Sequence, residues 1–322
     1  MQVYRSLAAL PRDFGPSALS IGNFDGVHFG HRQILRRVKA IASERGWKAS
    51  ALTFDPHPTR VVAPHRTPPL LTSPERRAEL MRQEGIEQVL ILPFTRELAM
   101  LTPEEFAGQL LVRALDARAV LVGDNFRFGH RHAGNVAVLA ELGHRFGFQT
   151  EIVPAVAWRG RVVSSTSIRE LIRAGNVQLA GRLLQHAYGL EGDVVSGRGV
   201  GSRQTVPTLN LATQAEVIPA SGVYITRTRD RADGREWDSV TNVGYRPTFG
   251  TSDQLTIETF LLGALAGATP ERIRVKFLRR LRDERKFDAP EALRAQILQD
   301  VRTAQAYFRR LKAWTGQACI SC

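Results

Sequence analysis

The stretch Gly22-Asn-Phe-Asp-Gly-Val-His-Phe-Gly-His31 decides the fold of the first half of this chain. It follows the apolar run Ala18-Leu-Ser-Ile21, which is typical of a short buried strand, and leads into residues 31–45, where apolar residues recur with helical spacing. A turn between a strand and a helix presents free N–H groups at the helix N-terminus, where they bind phosphate. Because His28 and His31 lie at that turn, the stretch predicts a phosphate site with two imidazoles beside it.

The chemistry of this turn points to nucleotides. Gly30 has no Cβ, so a polyphosphate can approach the backbone closely. The imidazoles of His28 and His31 can donate hydrogen bonds to the oxygens of a phosphorus atom that undergoes in-line displacement. The pattern therefore indicates transfer of an adenylyl group from ATP without a covalent intermediate. A histidine pair that only caps the helix is the alternative interpretation.

Predicted strands alternate with predicted helices through the first half of the chain. The strands cover residues 18–21, 49–54, 88–92, 119–122 and 148–153, and helices begin near His31, Ser73, Thr102 and Gly134. This repetition predicts an α/β fold with a doubly wound, mostly parallel sheet, in which ligands bind beyond the carboxyl ends of the strands. Residues 22–31, 55–58 and 123–134 each follow a predicted strand, so all three segments are expected at the same edge.

The pattern changes past about Gln185, where short alternating strands follow one another. Candidate strands at residues 223–228, 238–243, 255–261 and 272–277 predict a small antiparallel β-barrel. A terminal helix is predicted to begin at Asp288-Ala-Pro-Glu291. Its apolar stripe is expected to be core and consists of Leu293, Ile297, Val301, Ala304, Phe308 and Leu311.

Several motifs resemble those of one family, the bacterial bifunctional riboflavin kinase/FMN adenylyltransferases (FAD synthetases). Residues 22–31 resemble the signature of that family, and so do Thr53-Phe-Asp-Pro-His-Pro58, Gly123-Asp-Asn-Phe-Arg-Phe-Gly129 with Gly134, and Ser164-Ser-Thr-Ser-Ile-Arg169. In the second half the similar segments are residues 192–197, 206–210, 222–224, 242–249, 257–259 and 275–287. The resemblance runs from about Ser20 to about Tyr307. It implies a Rossmann-like nucleotidyltransferase domain, expected at residues 1–186, and a riboflavin kinase-like barrel domain with a terminal helix, expected at residues 187–312.

For the first domain the resemblance implies that His28 and His31 stabilise the transition state of adenylyl transfer from ATP to FMN. The residues expected to bind substrates are Asn23, Asp25, Gly30, Asn125, Phe126, Phe128, Ser165, Thr166 and Arg169. The hydroxyls, helix N-terminus and guanidinium of residues 164–169 suit ATP phosphates, although a plain capped helix is the alternative. Aromatic rings suit a flat isoalloxazine, whereas for Phe128 anchoring of its loop is an equally good interpretation. His57 is expected to shape its turn.

For the second domain the resemblance implies that Thr208 and Asn210 hold Mg²⁺ with ATP and that Glu258 is the base for the ribityl 5′-hydroxyl of riboflavin. Phosphoryl transfer needs mainly positioning, a metal and an oriented nucleophile. An outward carboxylate on a barrel strand is otherwise a solvated side chain. Residues 201–206, Gly-Ser-Arg-Gln-Thr-Val, depart from the Gly-Arg-x-Leu-Gly-Phe pattern of the family, in a loop that would contact ATP phosphates.

Charge and composition leave two other functions open. The chain has 44 Lys and Arg against 31 Asp and Glu, a formal charge of +13 that suits anionic partners. A nucleic-acid-binding protein is one alternative, but its cations would cluster among exposed aromatics, and only 7% of these residues are aromatic. A nucleotidyltransferase with a pantetheine or pyridine-nucleotide acceptor is another, but it would leave the barrel unexplained. We therefore expect small-molecule substrates (ATP, riboflavin and FMN) and no nucleic-acid or membrane partner.

The ends of the chain carry little functional signal. No apolar run approaches the ~20 residues that span a bilayer, and residues 1–16 do not resemble a signal peptide, so a cytoplasmic protein is expected. Cys319 and Cys322 have the spacing of half a zinc site or a redox pair, but neither has a further ligand nearby in sequence. Residues 313–322 are expected to form a flexible tail.

Overall fold

The chain forms two compact units, Met1–Ser165 and Thr166–Cys322. The computed structural model describes residues 1–196, 208–246, 254–285, 287 and 289–315. Each unit has its own sheet and its own buried apolar side chains, so each is described by itself.

A six-stranded sheet in the order β1-β4-β3-β2-β5-β6 forms the centre of the first unit. Its strands are β1 Gln2–Tyr4, β2 Ser17–Ile21, β3 Lys48–Phe54, β4 Gln88–Leu92, β5 Ala117–Gly123 and β6 Gln149–Val153. Every neighbouring pair is parallel, which confirms the predicted parallel sheet. Strand β1 was not predicted, because three residues are too few to show a period and pairing with β4 alone defines them.

Helices lie between the strands of this sheet. They are α1 Phe29–Arg45, α2 Pro58–Val62, α3 Pro74–Gln83, α4 Arg96–Met100, α5 Pro103–Glu105 with the π-helix Phe106–Ala114 that continues it, and α6 Val136–Phe146; a hairpin of β7 Ala157–Trp158 and β8 Arg161–Val162 follows β6. The helix predicted to begin near Thr102 starts with a capping box: the Thr102 N–H donates to Glu105 Oε2 at 2.8 Å, and the Glu105 N–H donates to Thr102 Oγ1 at 3.2 Å.

Apolar layers cover both faces of the sheet, as expected for parallel strands. Alternate residues of β2 belong to different layers: Leu19 packs in one cluster and Ala18 in the other, and both are fully buried. Strands β3 and β5 flank β2, and the strand order reverses between β2 and β5. In folds of this type the crevice beyond that reversal binds the ligand. The residues after β2 and after β5 therefore border the candidate ligand crevice.

A closed antiparallel barrel in the strand order β10-β13-β12-β11-β14-β9 forms the second unit, as predicted. Its strands are β9 Tyr188–Val195, β10 Thr208–Thr213, β11 Gly222–Asp230, β12 Glu236–Arg246, β13 Gln254–Leu261 and β14 Arg272–Arg282. Its helices are α7 Ser165–Arg173, α8 Val177–Leu184 and α9 Pro290–Thr315. Helix α7 begins at the last residue of the first unit. In the closed barrel each of these six described strands pairs with a neighbour on both sides.

The division between the two units differs from the domain boundary expected at residue 186. It falls between Ser165 and Thr166, because α8 packs against β14 and so belongs with the barrel. Helix α9 continues to Thr315 and so includes the start of the tail expected at residues 313–322. The rest of that tail, residues 316–322 with Cys319 and Cys322, lies outside the described residues.

The terminal helix α9 packs on the barrel through its second half. Ala304 and Phe308 are buried against Val223 and Val240. The expectation of a buried stripe is wrong at Leu293, which is 40% exposed because it precedes the packed part of the helix. No helix among the described residues is both long and apolar enough to cross a bilayer.

Candidate functional site

The two histidines of the first motif lie at the start of helix α1. His28 is the N-cap of α1, and its Nδ1 accepts the backbone N–H of His31 at 3.4 Å. The two rings are stacked, with centroids 3.7 Å apart and planes 17° from parallel. A Cβ on Gly30 would lie 3.3 Å from His28 Cε1, so glycine is what lets the imidazole approach the first turn of the helix. The structure thus brings together the three residues that the sequence singled out.

Burial keeps both imidazoles neutral. His28 is 8% exposed, and loss of solvation lowers its pKa from 6.5 to about 4. Burial also lowers the pKa of His31, and the neighbouring His28 lowers it further. Since Nδ1 of His28 accepts a hydrogen bond, the proton of the neutral ring lies on Nε2. The site therefore offers a neutral N–H donor beside a helix N-terminus at physiological pH.

The lowered pKa of His28 predicts acid sensitivity of the first unit. Between pH 6.5 and about 4 the unfolded chain binds a proton at His28 that the folded chain does not. The free energy of unfolding should therefore fall as the pH is lowered through this window, by up to about 1.4 kcal/mol per pH unit from this residue. Denaturant unfolding followed by tryptophan fluorescence at several pH values measures the slope.

The variant for this comparison is His28→Asn, because asparagine keeps an N-cap acceptor and removes the titrating ring. We expect a shallower pH dependence in this variant than in the wild type. His144→Asn replaces an exposed histidine on α6 and should leave the slope unchanged. Identical slopes in the wild type and His28→Asn would contradict the prediction.

Asn23 and Asp25 lie in residues 22–28, the segment between β2 and α1 that we call the 22–28 loop. The Asn23 amide lies 3.0 Å from Nε2 of His57, whose Nδ1 accepts the Thr59 N–H and so caps α2. His57 thus shapes the turn after β3, as predicted. The binding role expected for Asn23 remains a prediction.

The carboxylate of Asp25 is occupied by the chain itself. It accepts the backbone N–H groups of Leu71 at 2.9 Å and Thr72 at 3.1 Å, and the residue is 3% exposed. The main-chain carbonyl of Asp25 accepts the Ser165 hydroxyl at 2.8 Å. These contacts hold the 22–28 loop in place, and the binding role expected of Asp25 remains a prediction.

The loop after β5 presents the predicted amide and aromatic residues. Asn125 is exposed at the carboxyl edge of the sheet. The rings of Phe126 and Phe128 are stacked with centroids 5.4 Å apart. Phe128 is 6% exposed and packs in the core against Phe106, so it anchors the loop, while Phe126 is only partly buried. Of the two interpretations of Phe128, the structure favours anchoring.

The hydroxyls and guanidinium of residues 165–169 fall on both sides of the unit boundary. Ser165 ends the first unit, where its hydroxyl donates to Asp25. Thr166 and Arg169 belong to the second unit, and Nη1 of Arg169 donates to Thr166 Oγ1 at 3.3 Å. This hydrogen bond ties Ser165 to the 22–28 loop.

Strand pairing in the barrel aligns three polar side chains in a row. Asn210 on β10 pairs directly with Glu258 on β13, and Glu258 pairs on its other side with Asn242 on β12. Directly paired residues share a face of the sheet, with Cβ atoms about 4.5–5.5 Å apart. Ile257 and Thr259, on the opposite face of β13, are buried inside the barrel, so Glu258 faces outward.

Thr208 lies two residues before Asn210 and so shares its face of β10. The sequence placed Asn242 in a motif without a role, because only the register of β12 against β13 shows that it flanks Glu258. The altered segment at residues 201–206 lies outside the described residues.

The fold and two polar centres define a class of protein. The polar centres are the His28–His31 pair and the row formed by Asn210, Glu258 and Asn242. A doubly wound sheet with paired neutral imidazoles at its ligand edge is suited to nucleotidyl transfer, and a barrel with a carboxylate between two amides is suited to phosphoryl transfer. A two-domain transferase that uses nucleotides fits both observations.

Comparison with known proteins shows which family this is. Residues 11–167 match the family model for FAD synthetase, and residues 184–308 match the family model for riboflavin kinase. The bifunctional riboflavin kinase/FMN adenylyltransferase of Pseudomonas fluorescens is 34% identical over 306 residues, which are 95% of this chain and 97% of that protein. The enzyme of the same name from Escherichia coli K12 is 33% identical over 90% of this chain and 92% of that protein. This chain belongs to the family of bifunctional riboflavin kinases/FMN adenylyltransferases.

A solved structure shares the fold along almost the whole chain. It is described as a macrolide-efflux protein from Streptococcus pneumoniae, is 26% identical, and aligns with a TM-score of 0.82 over 94% of this chain and 98% of its own. The name of that protein differs from those of the curated relatives, and the comparison adds the shared architecture alone.

Proposed function

We propose that this chain makes FAD from riboflavin in two steps that each consume ATP. The barrel unit phosphorylates riboflavin to FMN, and the sheet unit transfers an adenylyl group from a second ATP to FMN. The observation that supports this best is the presence, in one chain, of both polar centres within the matching family domains. The proposal also places the chain in the cytoplasm, where ATP is supplied, with small molecules as its partners.

In the first step the ribityl 5′-hydroxyl oxygen attacks the γ-phosphorus of ATP, and ADP leaves. Glu258 accepts the proton of that hydroxyl, which requires a carboxylate within hydrogen-bond reach. Asn210 and Asn242, its direct partners on the neighbouring strands, hold the carboxylate and the nucleotide in register. Catalysis of this type depends mainly on positioning and charge.

The oxygen donors of this row suit Mg²⁺. No group of three His, Cys, Asp or Glu in the described residues could hold a metal, so a cation here would use the Thr208 hydroxyl and the Asn210 amide together with substrate phosphates. Magnesium is commonly held through few protein oxygens and the phosphates of its nucleotide. When bound, it neutralises phosphate charge.

In the second step a phosphate oxygen of FMN attacks the α-phosphorus of ATP, and pyrophosphate leaves. His28 and His31 donate N–H groups to the non-bridging oxygens, where charge develops in the transition state. Donation by neutral imidazoles matches their lowered pKa values. Asn125 and Phe126 border the flavin, and the hydroxyl of Ser165 binds the phosphates of ATP.

The test uses the purified chain with riboflavin, ATP and Mg²⁺, and separates the flavins by chromatography. We expect FMN to appear first and FAD to follow. The absence of both products would refute the proposal. FMN alone would refute the adenylyl-transfer assignment, and FAD formed only from supplied FMN would refute the kinase assignment.

A further inference from the structure

A buried arginine lies behind the 22–28 loop. Arg77 on α3 is 2% exposed. Its Nη1 donates to three acceptors: the carbonyl of Asn23 at 2.8 Å, Oγ1 of Thr53 at 3.0 Å and the carbonyl of Phe54 at 3.2 Å. One nitrogen therefore joins the 22–28 loop to the end of β3.

The rest of this guanidinium is poorly satisfied. Nε and Nη2 of Arg77 are buried and have no hydrogen-bond partner among the described residues. Burying a cation with unmet donors is unfavourable, and an apolar side chain of similar length would avoid that cost. The hydrogen bonds of Nη1, including the one to the Asn23 carbonyl of the loop, are thus the contacts that could account for an arginine at this position.

The loop that Arg77 holds has an unfavourable backbone. Phe24 has φ 50° and Val27 has φ 41°, in the left-handed region that bulky and β-branched residues avoid. Such conformations persist only where surrounding contacts impose them. Arg77 binds the carbonyl just before Phe24, and Nε of Arg32 donates to the carbonyl of Val27 at 3.2 Å.

The strained residue next to Arg77 contacts a catalytic imidazole. The ring of Phe24 meets the ring of His31 edge-on, with centroids 5.2 Å apart and planes at 68°. Phe24 is 1% exposed, so it cannot move without opening the packing around His31. Release of the Asn23 carbonyl would let Phe24 relax and would shift this ring.

We propose that Arg77 is a positioning residue for adenylyl transfer: by holding the Asn23 carbonyl against β3 it keeps Phe24 in place, and Phe24 sets the position of His31. This inference rests on the proposed adenylyl-transfer function of the first unit. It assigns a role to a residue that is buried behind the loop.

The geometry predicts an unusual pattern of substitution. All the hydrogen bonds of Arg77 come from one nitrogen, and the ammonium of lysine also carries its three donors on one nitrogen. Arg32, in contrast, uses Nε for Val27 and Nη1 for Glu84, so lysine cannot replace it. Arg77→Lys should therefore be tolerated, whereas Arg77→Met and Arg32→Lys should not.

The experiment measures kcat and KM for FAD formation from FMN and ATP, well below the unfolding temperature of each variant. FMN formation from riboflavin by the same chain gives the amount of intact protein. For Arg77→Met and Arg32→Lys we expect kcat to fall by about 10–100-fold with little change in KM, since a misplaced group costs transition-state binding. Arg77→Lys should restore most of the kcat, and Arg82→Met, at an exposed position of the same helix, should match the wild type.

Two results would overturn the inference. One is a wild-type kcat in folded Arg77→Met, which would show that the residue serves stability alone. The other is an Arg77→Lys variant as slow as Arg77→Met, a result that remains informative if the methionine variant does not fold. Failure of the wild type itself to form FAD would instead refute the proposed function.

Discussion

Replacing His28 by asparagine is expected to lower kcat for FAD formation from FMN by about 10²–10³-fold, the usual cost of removing one donor to a developing oxyanion. The amide retains an acceptor for the N–H of His31, so the start of α1 should be preserved. What the variant loses is the Nε2–H of the buried, neutral ring. With riboflavin and ATP as substrates, the variant should accumulate FMN.

Two measurements accompany this variant. FMN formation from riboflavin should equal that of the wild type, because the barrel carries that step. His144→Asn, which changes an exposed histidine in the same way, should form FAD at the wild-type rate. If His28→Asn forms FAD as fast as the His144 control, His28 is a helix cap and no more.

Replacing Glu258 by glutamine is expected to have the reciprocal effect. Glutamine has the size of glutamate and can still hydrogen-bond across the strands, but it cannot accept the proton of the 5′-hydroxyl. Loss of a general base lowers kcat by about 10²–10⁴-fold, so FMN formation from riboflavin should nearly cease. FAD formation from supplied FMN and ATP should be unchanged.

The matched control for this variant is Glu236→Gln. Glu236 also lies on a barrel strand, β12, and pairs with Lys276 at 2.8 Å on the surface. An exposed ion pair of this kind contributes little to stability, so this variant should keep both activities. Equal FMN formation by the two variants would remove Glu258 from the mechanism.

Local patterns determined much of the fold of the first unit. The predicted bounds of β4 match those observed, and the capping box at Thr102 is formed by both of its hydrogen bonds. The period of apolar residues and the helix caps depend on neighbours within a few residues, so both can be predicted from the sequence. Strand β1 was not predicted because its pairing with β4 defines it. The exposure of Leu293 was not predicted because it depends on which part of α9 packs on the barrel.

The barrel shows the limit of local patterns in a functional site. Sequence motifs indicated Asn210 and Glu258 as functional residues. The distance between these two residues depends on which strands pair and in which register. The strand order β10-β13-β12 places Glu258 between Asn210 and Asn242. The alternation of Glu258 with the buried Ile257 and Thr259 fixes which face of β13 it occupies. Only the pairing with β10 and β12 decides which side chains stand beside it.

For the first motif, residues 22–31, the sequence likewise determines some features and the tertiary structure determines the others. The sequence alone determined that two histidines and a glycine stand at a strand-to-helix turn, because that turn is local. Only the tertiary structure decided that the two rings stack and stay neutral. It also decided that the Asp25 carboxylate accepts the N–H groups of Leu71 and Thr72, and that Arg77 donates to the Asn23 carbonyl of the loop. The physical reason is that burial, desolvation and long-range hydrogen bonds depend on which distant segments enclose a residue.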